Sequence, residues 1–360
     1  EKRRVWIDSQ TEEEILRGVR EAKPLSDYDN LCAAAYSRAK EDYLMGINFS
    51  RVLTLKYGYT VRNYLGETKG GSISVGRVMT CVLGMVVQRE RSIREFVKTP
   101  FYRVMATVAA GEDHFEAEWR AVEGSRYYES PKLYKENGFK KKEDAEALIR
   151  TMKENEPWVL QVEKIEKKVE KKNPPMLYNL ADLQNDCSRL FKISPDETLK
   201  IVQELYEKKL VTYPRTDARV LSTAVSKEIY KNISGLKGYA PVAAYADQIM
   251  QTGSYKTIAK TKYVNDKQIT DHYAIIPTGQ GLNALSTMSP TGQGVYELVA
   301  RRFLSVFYPP AEYQKASLVL LRQEERFFAG FKVLYKQGFL EVAGNAFSRK
   351  KNEDDEEEKF

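Results

Sequence analysis

One octet of the 360-residue sequence combines side chains that could act on a phosphodiester. Residues 210–217 read Leu-Val-Thr-Tyr-Pro-Arg-Thr-Asp. Within them, Tyr213 precedes Arg215 by two positions. A tyrosine oxygen can attack phosphorus while a guanidinium pairs with the phosphate oxygens. The octet alone leaves two interpretations open, a nucleophile or a surface turn between a helix and a loop, since Pro214 ends any regular element there.

A second segment of interest contains His272, one of only two histidines in the sequence. Residues 271–278 read Asp-His-Tyr-Ala-Ile-Ile-Pro-Thr. The apolar run that a proline ends predicts a strand after the histidine. A lone histidine is usually a structural residue, and spacing alone does not link this one to Tyr213.

Three arginines lie in helical sequence before the octet. Arg77 follows a glycine at the predicted start of a helix, an arrangement that suits either a phosphate or an ordinary helix entry. Arg38 and Arg51 belong to a long helical pattern, where a solvated charge is the usual alternative. An Asp-x-Asp at residues 27–29 could bind a metal, but a helix N-terminus attracts carboxylates without one.

The composition is that of a soluble protein with a basic body. The sequence is 42% hydrophobic and 30% charged, and no apolar run approaches the ~20 residues of a membrane span. Six acidic residues lie among the last nine, so residues 1–351 contain 56 basic and 44 acidic residues. Such a body with 23 tyrosines could follow a phosphate backbone and stack bases. Three widely separated cysteines fit neither a disulfide framework nor a zinc cluster, so we expect a reducing cytoplasm.

Hydrophobic periodicity predicts a β domain that is interrupted by helices. Alternation over residues 101–119 predicts a hairpin, and further alternation predicts strands at residues 315–321, 326–335 and 339–343. Between these regions, two helices precede the predicted strand that carries Tyr213, and the second helix has a capping serine at Ser194. This order is consistent with a small domain of winged-helix type.

A charged segment separates the first strands from the helices. Residues 163–172 alternate lysine and glutamate and are followed by paired prolines, which predicts a domain junction. Lys171 and Lys172 would be a solvated face there unless nucleic acid lies alongside.

Taken together, these blocks resemble the type IA DNA topoisomerases, most closely their bacterial topoisomerase III branch. The resemblance rests on residues 213–217, residues 271–278 and the Gly-Arg-Val at residues 76–78, and it extends from about residue 4 to about residue 345. It implies a multidomain α+β fold, an open-torus fragment with helical gate domains and a discontinuous β domain.

The same resemblance implies a division of the chain into successive segments. They are a helical DNA-binding gate domain (1–98), the first half of the β domain (99–172), a helical nucleophile domain (173–288), the second half of the β domain (289–345) and an acidic tail (346–360).

The resemblance also implies an ATP-independent activity that cleaves one DNA strand, religates it after strand passage, and so relaxes negative supercoils or decatenates. Tyr213 would form a 5′-phosphotyrosine, Arg215 would stabilise the charge that builds on the phosphate, and His272 would hydrogen-bond a phosphate. We expect a cytoplasmic monomer that binds single-stranded or negatively supercoiled DNA and no membrane. The expected DNA-binding residues are Arg38, Arg51, Arg77, Lys171, Lys172 and Asp217.

Two departures from the family pattern affect these expectations. Met79 stands where the family usually has glutamine, which removes a polar DNA contact. The family binds Mg²⁺ through an N-terminal Toprim domain, and no matching acidic cluster occurs in this sequence. We therefore expect Mg²⁺ for the complete enzyme, no metal ligand in this chain, and a fragment that is inactive alone. The alternative is a fragment that binds single-stranded DNA without catalysis.

A tyrosine recombinase is the rival class, because it also applies tyrosine, arginine and histidine to phosphodiesters. That family places its tyrosine after its arginines and histidine. Here Tyr213 precedes His272, and the order of the residues argues against it.

Overall fold

The computed structural model describes residues 2–7, 12–66, 71–154 and 156–344. The acidic tail expected at residues 346–360 lies outside the described residues. The chain divides into two compact units. The smaller contains residues 1–6 and 20–100, and the larger contains residues 7–19 and 101–360.

The described ranges contain both helices and strands. The α-helices are α1 (Glu12–Arg20), α2 (Asp29–Leu65), α3 (Arg77–Arg94), α4 (Lys142–Lys153), α5 (Leu180–Phe191), α6 (Pro195–Glu207), α7 (Thr223–Gly235), α8 (Ala243–Thr252), α9 (Pro290–Ser305) and α10 (Leu340–Ala343). The β-strands are β1 (Arg3–Arg4), β2 (Lys23–Pro24), β3 (Met105–Ala110), β4 (Asp113–Arg120), β5 (Leu133–Lys135), β6 (Gly138–Phe139), β7 (Gln161–Lys172), β8 (Ala311–Arg322) and β9 (Glu325–Lys336).

The smaller unit is dominated by the long helix α2, which ends where Gly66 adopts a left-handed conformation with φ 67°. The loop before α3 is fastened to α2 by two side chains. Ile73 N–H donates to Thr54 Oγ1 (2.9 Å), and Val75 N–H donates to Ser50 Oγ (2.9 Å). These bonds fix the position at which α3 begins.

The larger unit contains a five-stranded antiparallel sheet in the order β3-β4-β9-β8-β7. Its strands come from both sides of a long helical segment of the chain. One face packs against α4 and buries Trp119, Leu148 and Phe327. The Trp119 indole donates to the buried Glu325 carboxylate (2.7 Å), so these two buried polar groups are paired.

Two segments of this unit differ from the sequence-based expectation. Residues 163–172, predicted as a junction, belong to the edge strand β7, which pairs with β8 along its length. Lysine and glutamate suit such a strand because charged side chains discourage pairing with another sheet edge. Residues 339–343, predicted as a strand, include the short helix α10, because Phe339, Val342 and Ala343 are buried on one side of a helical turn.

Helices α5 to α9 pack around one apolar core, and a buried arginine on α9 links them by polar contacts. The Arg302 guanidinium donates to Asp186 Oδ2 (2.8 Å), to Tyr178 Oη (3.0 Å) and to the Met176 carbonyl (3.1 Å). Burial raises the pKa of Tyr178, so its hydroxyl stays protonated and donates to Asp186 (2.5 Å). The network joins α5, α9 and the segment before α5.

We expect Arg302→Met to lower the free energy of unfolding by about 3–5 kcal/mol, because Asp186 would lose its buried cationic partner. Urea unfolding of the chain measures this change. The control is Lys237→Met, which removes an exposed ion pair with Asp247 and should cost no more than about 1 kcal/mol. Equal losses in the two variants would contradict a structural role for the Arg302 network.

Candidate active site

The tyrosine segment (residues 210–217) and the histidine segment (residues 271–278) lie side by side in the larger unit. Val211 forms an isolated antiparallel bridge with Pro277, rather than the regular strands that the sequence predicts. Proline has no N–H to donate, so Pro214 and Pro277 keep the pairing short.

Two threonine hydroxyls join the segments. Thr212 Oγ1 donates to the Ala274 carbonyl (2.9 Å) and accepts the Ile276 N–H (2.9 Å). Thr216 Oγ1 donates to the backbone carbonyl of His272 (2.9 Å). The sequence analysis did not identify either threonine as a residue that positions Tyr213. The available signal was a hydroxyl residue on each side of the tyrosine in a run that is otherwise apolar or charged.

These contacts bring the rings of Tyr213 and His272 together. Their centroids are 4.3 Å apart and their planes are inclined by 41°. Tyr206, on α6, packs edge-on against Tyr213 with centroids 5.4 Å apart. Tyr213 is half-buried and His272 is exposed. A phenol and an imidazole that the sequence places 59 positions apart thus share one site.

The chain reaches this site through a strained turn at the end of α6. Lys209 adopts a left-handed conformation with φ 60°, which is uncommon outside glycine. Its carbonyl accepts the Thr278 hydroxyl (2.5 Å), so the histidine segment holds the turn in place. After the turn, Val211 and Thr212 pair with the histidine segment.

A cleft of about 660 Å³ opens beside the ring pair. Tyr206, Lys209, Tyr213, His272 and Thr278 are among its lining residues. The lining includes one lysine, one imidazole and three phenols, together with the carboxylates of Glu207 and Asp271. Lys209, His272 and the phenols can each form a hydrogen bond with a phosphate that enters the cleft.

Arg215 and Asp217, the two charged residues of the tyrosine segment, are exposed. Within the described residues, Arg215 neither lines the cleft nor forms an ion pair or hydrogen bond. The Asp217 carbonyl accepts a hydrogen bond from Asn179 Nδ2 (3.2 Å). The roles of Arg215 and Asp217 on DNA stay predictions.

Three of the predicted DNA contacts lie in the smaller unit. Arg77, the first residue of α3, donates to Asp42 Oδ2 (3.2 Å), and Arg38 lies 3.9 Å from the same carboxylate. Arg51 is exposed on α2, and Met79 is exposed on α3. The Asp42 carboxylate thus lies close to both Arg38 and Arg77, and the three side chains form one charged group.

The remaining predicted contacts, Lys171 and Lys172, are exposed at the end of β7 in the larger unit. Lys171 pairs with Glu312 of β8 (3.4 Å).

Neither a metal cluster nor a membrane span is found in the described part of the chain. No group of three or more histidine, cysteine, aspartate or glutamate side chains there is arranged to hold a metal ion. No helix in the same ranges has the length and apolar content needed to cross a membrane.

Comparison with known proteins assigns the class. A family model described as DNA topoisomerase matches residues 26–360, so the chain belongs to the DNA topoisomerase family. It is 33% identical to DNA topoisomerase 3 of Bacillus subtilis (strain 168) and 34% identical to DNA topoisomerase 3 of Bacillus licheniformis. Each match covers 99% of this chain and 44% of the relative, so the chain spans less than half the length of these relatives.

A solved structure supports the fold assignment. Full-length topoisomerase I from Thermotoga maritima aligns with a TM-score of 0.60 over 97% of this chain and 51% of that chain, at 22% identity. The predicted membership of a type IA, topoisomerase III-like group and the predicted α+β fold are confirmed.

We expect Thr212→Val to reduce the free energy of unfolding by about 1–3 kcal/mol, because the Ala274 carbonyl and the Ile276 N–H lose their shared partner. Urea unfolding checks this. Thr257→Val is the control, since its exposed hydroxyl bonds only within its own turn and its loss should change stability by less than about 0.5 kcal/mol. A Thr212 variant as stable as the control would show that the hydroxyl does not join the segments.

Proposed function

We propose that the protein containing this chain is a type IA DNA topoisomerase in which Tyr213 is the nucleophile. The observation that carries the proposal is the contact between Tyr213 and His272, whose ring centroids are 4.3 Å apart beside an open cleft. Each residue belongs to a motif of the family, and the two motifs are distant in sequence. Their meeting at one cleft is what a phosphodiester cleavage site requires.

The Tyr213 oxygen attacks a phosphorus atom of one DNA strand and forms a 5′-phosphotyrosine. The phenol loses its proton, the bond to the 3′ oxygen breaks, and that oxygen leaves as a hydroxyl after it takes up a proton. Resealing is the reverse reaction, in which the 3′ hydroxyl attacks the phosphotyrosine. One ester bond replaces another in each direction, so the cycle consumes no ATP.

A free phenol has a pKa of about 10 and is mostly protonated at neutral pH, so the attack needs assistance. His272 hydrogen-bonds a phosphate oxygen and holds the strand against the phenol. Arg215, exposed two residues after Tyr213, pairs with the phosphate as negative charge builds in the transition state. Lys209, which lines the same cleft, adds a positive charge close to the path of the strand.

The substrate is single-stranded DNA or a locally unpaired region of negatively supercoiled DNA. The basic body of the chain and its many tyrosines favour a strand with accessible phosphates and bases. Mg²⁺, which the family resemblance implies for the complete enzyme, would be bound by residues other than the described ones. A chain that binds single-stranded DNA without catalysis is the second candidate, and the basic body and the many tyrosines favour it.

We expect Tyr213→Phe, in the protein expressed from its complete gene, to lower the rate of relaxation of negatively supercoiled plasmid by more than about 1,000-fold, because the nucleophile is removed. Single-stranded DNA binding should persist, since the ring and its packing remain. Tyr230→Phe, at an exposed tyrosine of α7, is the control and should relax plasmid at the unchanged rate. Retention of relaxation by Tyr213→Phe would overturn the nucleophile assignment.

A further inference from the structure

One end of the five-stranded sheet concentrates positive charge. Residues 167–172 of β7, 311–315 of β8 and 332–336 of β9 meet there by strand pairing. These segments contain two carboxylates, Glu170 and Glu312, against seven lysines. The lysines are Lys167, Lys168, Lys171, Lys172, Lys315, Lys332 and Lys336.

Both carboxylates already have lysine partners. Glu312 pairs with Lys336 (2.9 Å) and Lys171 (3.4 Å), and the hydrogen bond from Lys336 lowers its pKa. Glu170 accepts a hydrogen bond from Lys332 (2.7 Å), which lowers its pKa as well. Both groups are therefore ionised at neutral pH, and together they leave an excess of five positive charges.

Three of the lysines form a row across neighbouring strands. Lys168 of β7 lies opposite Lys315 of β8, and Lys315 lies opposite Lys332 of β9. Directly opposed like charges lower the stability of a sheet. The carboxylate of Glu170 accepts a hydrogen bond from Lys332, and the charges of Lys315 and Lys168 lower its pKa further. Glu166 also acts on Lys168, although its own ion pair is with Lys164. Within the described residues, Lys168 and Lys315 therefore form no ion pair of their own.

Protection of the sheet edge does not account for this row. Charged residues on an edge strand prevent pairing with another sheet, which explains Lys168 on β7. Lys315 lies on β8, which pairs with both β7 and β9 at this position. Lys332 lies on β9 beyond residues 326–328, which are the residues of β9 that pair with β4. The like charges that Lys315 faces on both sides therefore have no role in edge protection, and an anionic partner is the better explanation for them.

We propose that this lysine row binds the phosphate backbone of single-stranded DNA, as a second contact outside the cleft at Tyr213. That the anion is DNA rests on the proposed function. Strands lie about 4.8 Å apart, so three ammonium groups in a row extend over about 10 Å and can contact consecutive phosphates. None of the three lysines lines the cleft.

An aromatic side chain adjoins the row on the same face of the sheet. Tyr313 precedes Lys315 by two positions on β8, and the Lys332 ammonium lies 4.6 Å from the centroid of its ring. A lysine row beside a tyrosine ring offers both phosphate pairing and base stacking. This combination favours a single strand, whose bases are free to stack, as the occupant.

The test is the salt dependence of binding between the 360-residue chain and a fluorescent single-stranded DNA of mixed sequence, measured by anisotropy. Each phosphate contact contributes about 0.7 to the slope of log K against log salt for a single strand. K168Q/K315Q/K332Q should therefore reduce the slope by about 2, which corresponds to roughly 100-fold weaker binding at about 0.1 M salt.

K140Q/K141Q/K142Q is the matched control, because it removes the same charge at the start of α4, which packs on the opposite face of the sheet. Its slope should equal that of the unchanged chain, and circular dichroism should show all variants folded. Equal slopes for the two triple variants would overturn the inference while DNA binding, and with it the proposed function, stands. Failure of the unchanged chain to bind at low salt would overturn both.

Discussion

The site depends on the pairing of two chain segments that are far apart in sequence. Thr212 and Thr216 each bond the histidine segment through a side-chain hydroxyl, and these bonds lie on either side of Tyr213. A proline in each segment limits backbone pairing, so the hydroxyls supply contacts that a regular sheet would otherwise provide. The positions of the phenol and the imidazole therefore follow from a few directional bonds.

The helical core also contacts the histidine segment. Ile275 N–H of the histidine segment donates to the Tyr178 carbonyl (2.8 Å). The Tyr178 side chain in turn joins the buried network of Asp186 and Arg302. Burial makes this network costly to break, because a charge left without its partner in an apolar core is strongly unfavourable. The packing of α5 against α9 thus helps to hold the backbone near His272 in place.

The sequence singled out two side chains that the fold brings into contact, but it predicted the elements that hold them less well. Family motifs identified Tyr213 and His272, and hydrophobic periodicity located α5, α6 and α9. Residues around Val211 were predicted as a strand but form only an isolated bridge. Local β propensity does not take into account that a nearby proline has no N–H to donate. Residues 163–172 of β7 were predicted as a junction because alternating charges are typical of a linker. Their role as a sheet edge depends on pairing with β8, which lies some 150 positions away in the sequence. The contacts of Thr212 and Thr216 depend on tertiary pairing that no local pattern encodes.

Mapping the covalent DNA–protein adduct tests the central claim most directly. The protein from the complete gene is incubated with single-stranded DNA, denatured during turnover, digested with nuclease and trypsin, and analysed by mass spectrometry. Cleavage after Lys209 and Arg215 isolates residues 210–215, in which Tyr213 is the one tyrosine. The account predicts a nucleotide bound to Tyr213 through its 5′ phosphate. A nucleotide on a different peptide, or a 3′ linkage, would contradict it.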